Sequence, residues 1–145
     1  DAVRTSPSLE QDLAVEYRTL EELLRQSDVV TIHTSLNEQS TDLINAEKLA
    51  LMKPSAILIN TSRGPVVDEP ALIESLSNGT IAGAGLDVFK HQPLDPGSTL
   101  LSLPNVVVTP HHAGVSLDTW TRRIAFGYAN IERVAAGQPA EAGVS

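Results

Sequence analysis

The chain contains no cysteine, which excludes both a disulfide framework and a thiolate metal site. Its four histidines offer no substitute, because only His111 and His112 stand close together, and no metal is expected. Positive charge is also scarce. Ten Lys and Arg against eighteen Asp and Glu leave a formal net charge of -8, with the basic residues scattered, so no nucleic acid partner held through its phosphates is expected. No apolar run reaches the ~18 residues of a membrane span. No basic-then-apolar leader opens the sequence either, so the expectation is a cytoplasmic protein without a membrane partner.

What remains is a sequence of 145 residues, 41% apolar, long enough for one buried core. The opening run Asp1-Ala-Val-Arg-Thr-Ser-Pro-Ser8 is turn-like and predicts that the first ordered element comes only after about a dozen residues. Such a start is expected of a chain cut out of something longer.

Four β-branched, apolar runs then recur, over residues 29–34, 56–61, 81–88 and 106–109, with a weaker one near 15–17. Each is short and apolar on both faces, as parallel strands buried under helices on two sides would be. Helix signals separate them. Thr19-Leu-Glu-Glu22 has capping-box spacing, followed by Leu23 and Leu24 on the face begun by Leu20. Asn45 can cap a helix that carries Leu49 and Met52 and stops at Pro54. Asp68-Glu-Pro70 opens another, because proline in a first turn lacks only an N–H without a partner, and Asn78-Gly79 closes it. The last begins at Ser116 and bears Trp120, Ile124, Tyr128, Ile131 and Val134 at helical spacing up to Gly137, a stripe for core or interface packing. Strand centres step by about 27 residues from Thr31 to Leu58 and again to Gly85, close to the ~30 of a βαβ unit. The pattern predicts a parallel α/β sheet.

Ligands of open parallel sheets bind beyond the carboxyl ends of the strands. There the sequence places Ser35-Leu36-Asn37, then Ser62-Arg63-Gly64, then Asp87 with Gln92-Pro93 just beyond, and finally Pro110-His111-His112-Ala113-Gly114. One guanidinium, one carboxylate and one or two imidazoles thus converge on one edge.

Three segments of this edge, Ile59-Asn-Thr-Ser-Arg-Gly-Pro-Val-Val-Asp68, Ala82-Gly-Ala-Gly-Leu-Asp-Val-Phe89 and Leu103-Pro-Asn-Val-Val-Val-Thr-Pro-His111, closely resemble the D-isomer-specific 2-hydroxyacid dehydrogenases. The resemblance runs from Asp1 to about Pro139 and implies an incomplete Rossmann-like doubly wound parallel sheet with flanking helices. Residues 1–115 would be the C-terminal part of an NAD-binding domain, and residues 116–145 a C-terminal helix returning towards a substrate domain. It further implies a homodimer that transfers hydride between NAD, with NADP not excluded, and a small 2-oxo or 2-hydroxy acid.

By the same resemblance Arg63 would bind the substrate carboxylate and polarise the adjacent carbonyl, a task suited to a planar fork that keeps its charge. His111 would be the general acid and base, since an imidazole titrates near neutral pH. Asp87 would hold the nicotinamide carboxamide. Thr34, Ser35, Leu36, Thr61, Ser62, Arg63, His111, Ala113 and Gly114 would line the cofactor, and Asp1 would hold the adenosine ribose, with Arg4 nearby to offset a preference for NAD. His112 has no matching role.

Two departures from the family stand out. The Gly-rich phosphate loop that should precede Asp1 is absent from the chain. The usual glutamate partner of the histidine is Gln92, whose amide can orient the ring without stabilising its positive charge. Glutamine here is shared with formate dehydrogenases, so a formate-oxidising enzyme is the alternative, followed by a dinucleotide-binding protein without turnover and by an inactive fragment.

Overall fold

A computed structural model describes residues 6–141 of the chain, so the expectations for Asp1 and Arg4 fall outside the described residues. The described residues divide into two compact units, with the boundary between His111 and His112.

The first unit holds four parallel strands, β1 (Val29–Ile32), β2 (Ile57–Asn60), β3 (Gly83–Leu86) and β4 (Val106–Val108), paired in the order β1-β2-β3-β4. Helix α1 (Pro7–Asp12) and helix α2 (Leu20–Gln26) precede them, while α3 (Ala46–Leu49) and α4 (Glu69–Ser77) connect β1 to β2 and β2 to β3. This is the parallel α/β sheet with flanking helices that the repeated apolar runs predict.

Helix α1 corrects the expectation of an unordered start. Ser6 caps it by accepting from the Leu9 N–H, and Pro7 occupies the first turn, so the Ser-Pro pair read as a turn is a helix start. The weak run at 15–17 forms no strand. In α2 the capping box is present, with Thr19 Oγ1 accepting from the Glu22 N–H and Glu22 accepting from the Thr19 N–H. That backbone donor, then the Thr19 hydroxyl, hold the Glu22 carboxyl below its usual range.

The expectation of strands buried on both faces holds for β3, buried or half-buried throughout, and is corrected for β1, β2 and β4. Val30, Ile32, Leu58, Ala84 and Leu86 share one face with Leu24, Leu49, Leu72 and Leu76 of the helices in a single core. On the other face Val29 is 52% exposed, Ile57 42% and Val107 69%. Right-handed crossovers between strands laid side by side in chain order all fall on one side, which explains why the connecting helices of the first unit cover one face. The 81–88 run is likewise longer than its strand: Ile81 and Val88 are buried but lie outside β3.

The second unit contains α5 (Leu117–Ala135), capped by Ser116 and closed at Gly137 with φ 73°. It has no buried residue, so the stripe from Trp120 to Val134 is exposed apolar surface within the chain instead of core. No helix among the described residues is long and apolar enough to cross a membrane.

Candidate active site

Each parallel strand delivers a polar segment at its carboxyl end, and buried hydrogen bonds fix how these segments are presented. At β2 the organiser is Asn60, 1% exposed. Its Oδ1 accepts from the Ser62 N–H at 3.0 Å and the Ser62 hydroxyl at 2.8 Å, while its Nδ2 donates to the Arg63 carbonyl at 3.0 Å. A side-chain amide has the donors and acceptor to satisfy this tight turn entirely. Gly64 then makes a close approach that no other residue permits: a Cβ there would lie 2.0 Å from the Phe89 carbonyl carbon. The contact sets the Arg63 loop against the segment leading to Gln92. Arg63 itself is exposed, its Nη1 donating to the Ser62 carbonyl at 2.6 Å, and among the described residues it pairs with no carboxylate.

Beyond β1, Asn37 and Ser40 build the loop that carries Thr34, Ser35 and Leu36. Ser40 Oγ donates to the Ser35 carbonyl at 2.7 Å and accepts from the Asn37 N–H at 2.8 Å. This loop and the Arg63 loop enclose a cavity of about 450 Å³ lined by His33, Thr34, Ser35, Leu36, Thr61, Ser62 and Arg63. Six expected cofactor-lining residues are therefore brought together in one place.

Asp87, just past β3, is 3% exposed. Its N–H donates to the Asn60 carbonyl at 3.0 Å, and its Oδ1 accepts from Thr109 Oγ1 at 2.5 Å. Past β4, His111 has φ 58°, a left-handed conformation that a β-carbon penalises. Its Nδ1 lies 2.9 Å from Gln92 Oε1. A carbonyl oxygen only accepts, so Nδ1 carries the hydrogen and Nε2 is left to exchange a proton with a ligand. Gln92 and His111 also line a second cavity, about 600 Å³, whose other walls include Phe89, Leu94 and Val108. Ala113 and Gly114 belong to the second unit and are exposed.

Two hydrogen-bonding residues beside these segments were not expected from the sequence, Asn60 and Thr109. The signal for Asn60 was a lone amide ending an apolar strand, which has to be satisfied once buried.

The arrangement suits a two-electron reduction of a carbonyl next to a carboxylate. The guanidinium can take the carboxylate, and the oriented imidazole can supply the proton that the new hydroxyl requires.

Residues 1–113 match the family model described as D-isomer specific 2-hydroxyacid dehydrogenase, NAD binding domain. The chain is 49% identical over 122 residues to a glyoxylate reductase of Korarchaeum cryptofilum, covering 84% of this chain and 36% of that protein. It is 54% identical over 104 residues to glyoxylate/hydroxypyruvate reductase B of Enterobacter agglomerans, covering 72% and 32%. The chain thus spans about a third of the length of these curated relatives. Among solved structures it is similar to D-lactate dehydrogenase with NAD+ from Lactobacillus jensenii, at TM-score 0.89 and 32% identity, covering 99% of this chain and 46% of that one. A D-isomer specific 2-hydroxyacid dehydrogenase from Xanthobacter autotrophicus Py2, in complex with NADPH and MES, aligns at TM-score 0.76 and 41% identity, covering 87% and 51%.

Proposed function

The chain belongs to the D-isomer specific 2-hydroxyacid dehydrogenase family, and from that premise we propose that it supplies the cofactor-facing half of an active site that reduces a small 2-oxo acid to the D-2-hydroxy acid. The observation that carries this reading is that Arg63, Asp87 and His111 each follow the carboxyl end of one of three neighbouring parallel strands, two of them held by hydrogen-bonded side chains.

The residues present fit a nicotinamide dinucleotide. The Thr34 and Arg63 loops form a polar cradle, and Asp87 offers a carboxylate suited to a carboxamide N–H. When bound, NAD or NADP supplies or accepts hydride at the nicotinamide. Arg63 binds the substrate carboxylate through two parallel N–H bonds and draws electron density from the adjacent carbonyl. As hydride reaches the carbonyl carbon, His111 gives the proton from Nε2 to the oxygen, and in the oxidative direction takes it back. Gln92 keeps the ring turned for this transfer by accepting from Nδ1.

In the same proposal residues 1–115 are the C-terminal part of an NAD-binding domain, and residues 116–145 return towards a substrate domain. Glyoxylate and hydroxypyruvate are the first substrates to try, given the relatives' activities. A homodimer in the cytoplasm completes the reading, and the exposed apolar stripe of α5 supports the pairing of copies.

The test is Arg63→Lys in the protein that carries this chain. Lysine keeps the charge and loses the planar fork. KM for the oxo acid should rise and kcat fall, together costing about 100-fold in kcat/KM, while NADH affinity changes less than about threefold. Equal losses in both would show that Arg63 is not the substrate anchor.

A further inference from the structure

We infer that Thr109 is a positioning residue that ties the cofactor-binding carboxylate to the strand carrying the acid and base; this rests on the roles of Asp87 and His111 proposed above. Every polar atom of Thr109 is engaged towards the site. Its N–H donates to the Leu86 carbonyl at 2.9 Å, which locks the end of β4 to the end of β3. Its carbonyl accepts from the His111 N–H at 3.1 Å, across the bend that places His111 at φ 58°. Its hydroxyl donates to Asp87 Oδ1 at 2.5 Å.

The division of labour within this one residue sets what a variant will change. The two main-chain bonds hold His111 and survive any side-chain substitution that keeps the backbone. The hydroxyl donates to Asp87, and removing one donor from a buried carboxylate is costly. Thr109 therefore takes one lone pair of Asp87 Oδ1 and helps to orient the carboxylate for a nicotinamide carboxamide, and it does so from the strand end that also leads to His111. A merely structural threonine would have no reason to favour one substrate over another.

Thr109→Val keeps the branched shape and removes the donor, whereas Thr109→Ser keeps the donor and removes a methyl. In the protein that carries this chain, Thr109→Val should raise KM for NADH about tenfold, the usual scale for one lost hydrogen bond to a charged group. KM for glyoxylate and the alkaline limb of the pH profile should stay where they are. Thr109→Ser should return KM for NADH to within about twofold of the parent. Combined with Asp87→Asn, Thr109→Val should add little beyond Asp87→Asn alone, since both act on one contact. An unchanged Thr109→Val, equal losses in Val and Ser, equal losses on both substrates, or additive losses in the double variant would each overturn the inference. If the parent reduces no oxo acid, the proposed function fails, and the same variants are then judged by fluorescence titration with NADH. Tenfold weaker binding in Val, restored in Ser, still supports the role of Thr109, while a parent that does not bind NADH overturns both.

Discussion

Gln92 accepts from His111 Nδ1 at 2.9 Å, and an amide at this place changes the proton chemistry that a carboxylate would support. A carboxylate favours the imidazolium through its charge, whereas a neutral carbonyl oxygen only aligns the ring. In the proposed reaction, reduction of an oxo acid consumes a proton from His111, so the protonated ring is the active form and the rate should fall as pH rises. Gln92→Glu should therefore move the alkaline fall-off of glyoxylate reduction upward by about one pH unit and raise the rate at neutral pH. If the reaction is instead formate oxidation, which has no substrate proton to manage, the same change should slow it with no gain on oxo acids. Superimposable pH profiles on glyoxylate, hydroxypyruvate and formate would show that Gln92 does not govern His111. At this scale Arg63, Gln92 and His111 were legible as candidates, because they sit in short linear motifs. Asn60 and Thr109 were not. Their roles are hydrogen bonds that arise only once a turn closes or two strands lie side by side.

Caps determine where the helices of both units begin, and a close approach sets how near two segments of the first unit come. Asn45, Asp68 and Ser116 all cap the helices their sequence contexts predict, since a side-chain oxygen ahead of an apolar face satisfies N–H groups the helix itself cannot. The helix at Pro7–Asp12 was missed because Ser-Pro serves equally as a turn and as a helix start. Gly64 was legible only as part of a motif, yet it decides the spacing between the Arg63 loop and the backbone at Phe89. Gly64→Ala should destabilise by about 3 kcal/mol or more, because the obstruction is rigid main chain and cannot turn away. Asp68→Ala, which removes only the cap of α4, should cost about 1 kcal/mol. Urea unfolding of the two variants measures the difference, and comparable midpoints would show that the Gly64 loop can move aside.

As a whole, the chain carries Arg63, Asp87, Gln92 and His111 in the first unit, and the described residues leave two apolar surfaces exposed. One is the sheet face bearing Val29, Ile57 and Val107, and the other is the α5 stripe through Trp120, Ile124 and Ile131. The repeated runs made the parallel sheet legible in the sequence. They did not reveal its uncovered face, because apolar composition reports what a surface prefers to touch and not whether this segment supplies it. The curated relatives that the chain matches are about three times as long as the stretch they share with it. The central claim is that Arg63 and His111 serve hydride transfer to a 2-oxo acid, and the transferred atom can be followed directly. The protein that carries this chain should be given glyoxylate and NADH deuterated at nicotinamide C4 on either face in turn, with the glycolate analysed by mass spectrometry. The account predicts one deuterium on the carbinol carbon from one face of the nicotinamide only, and about 100-fold slower labelling in Arg63→Lys. Glycolate formed without deuterium from either face, or no glycolate at any pH, would contradict it.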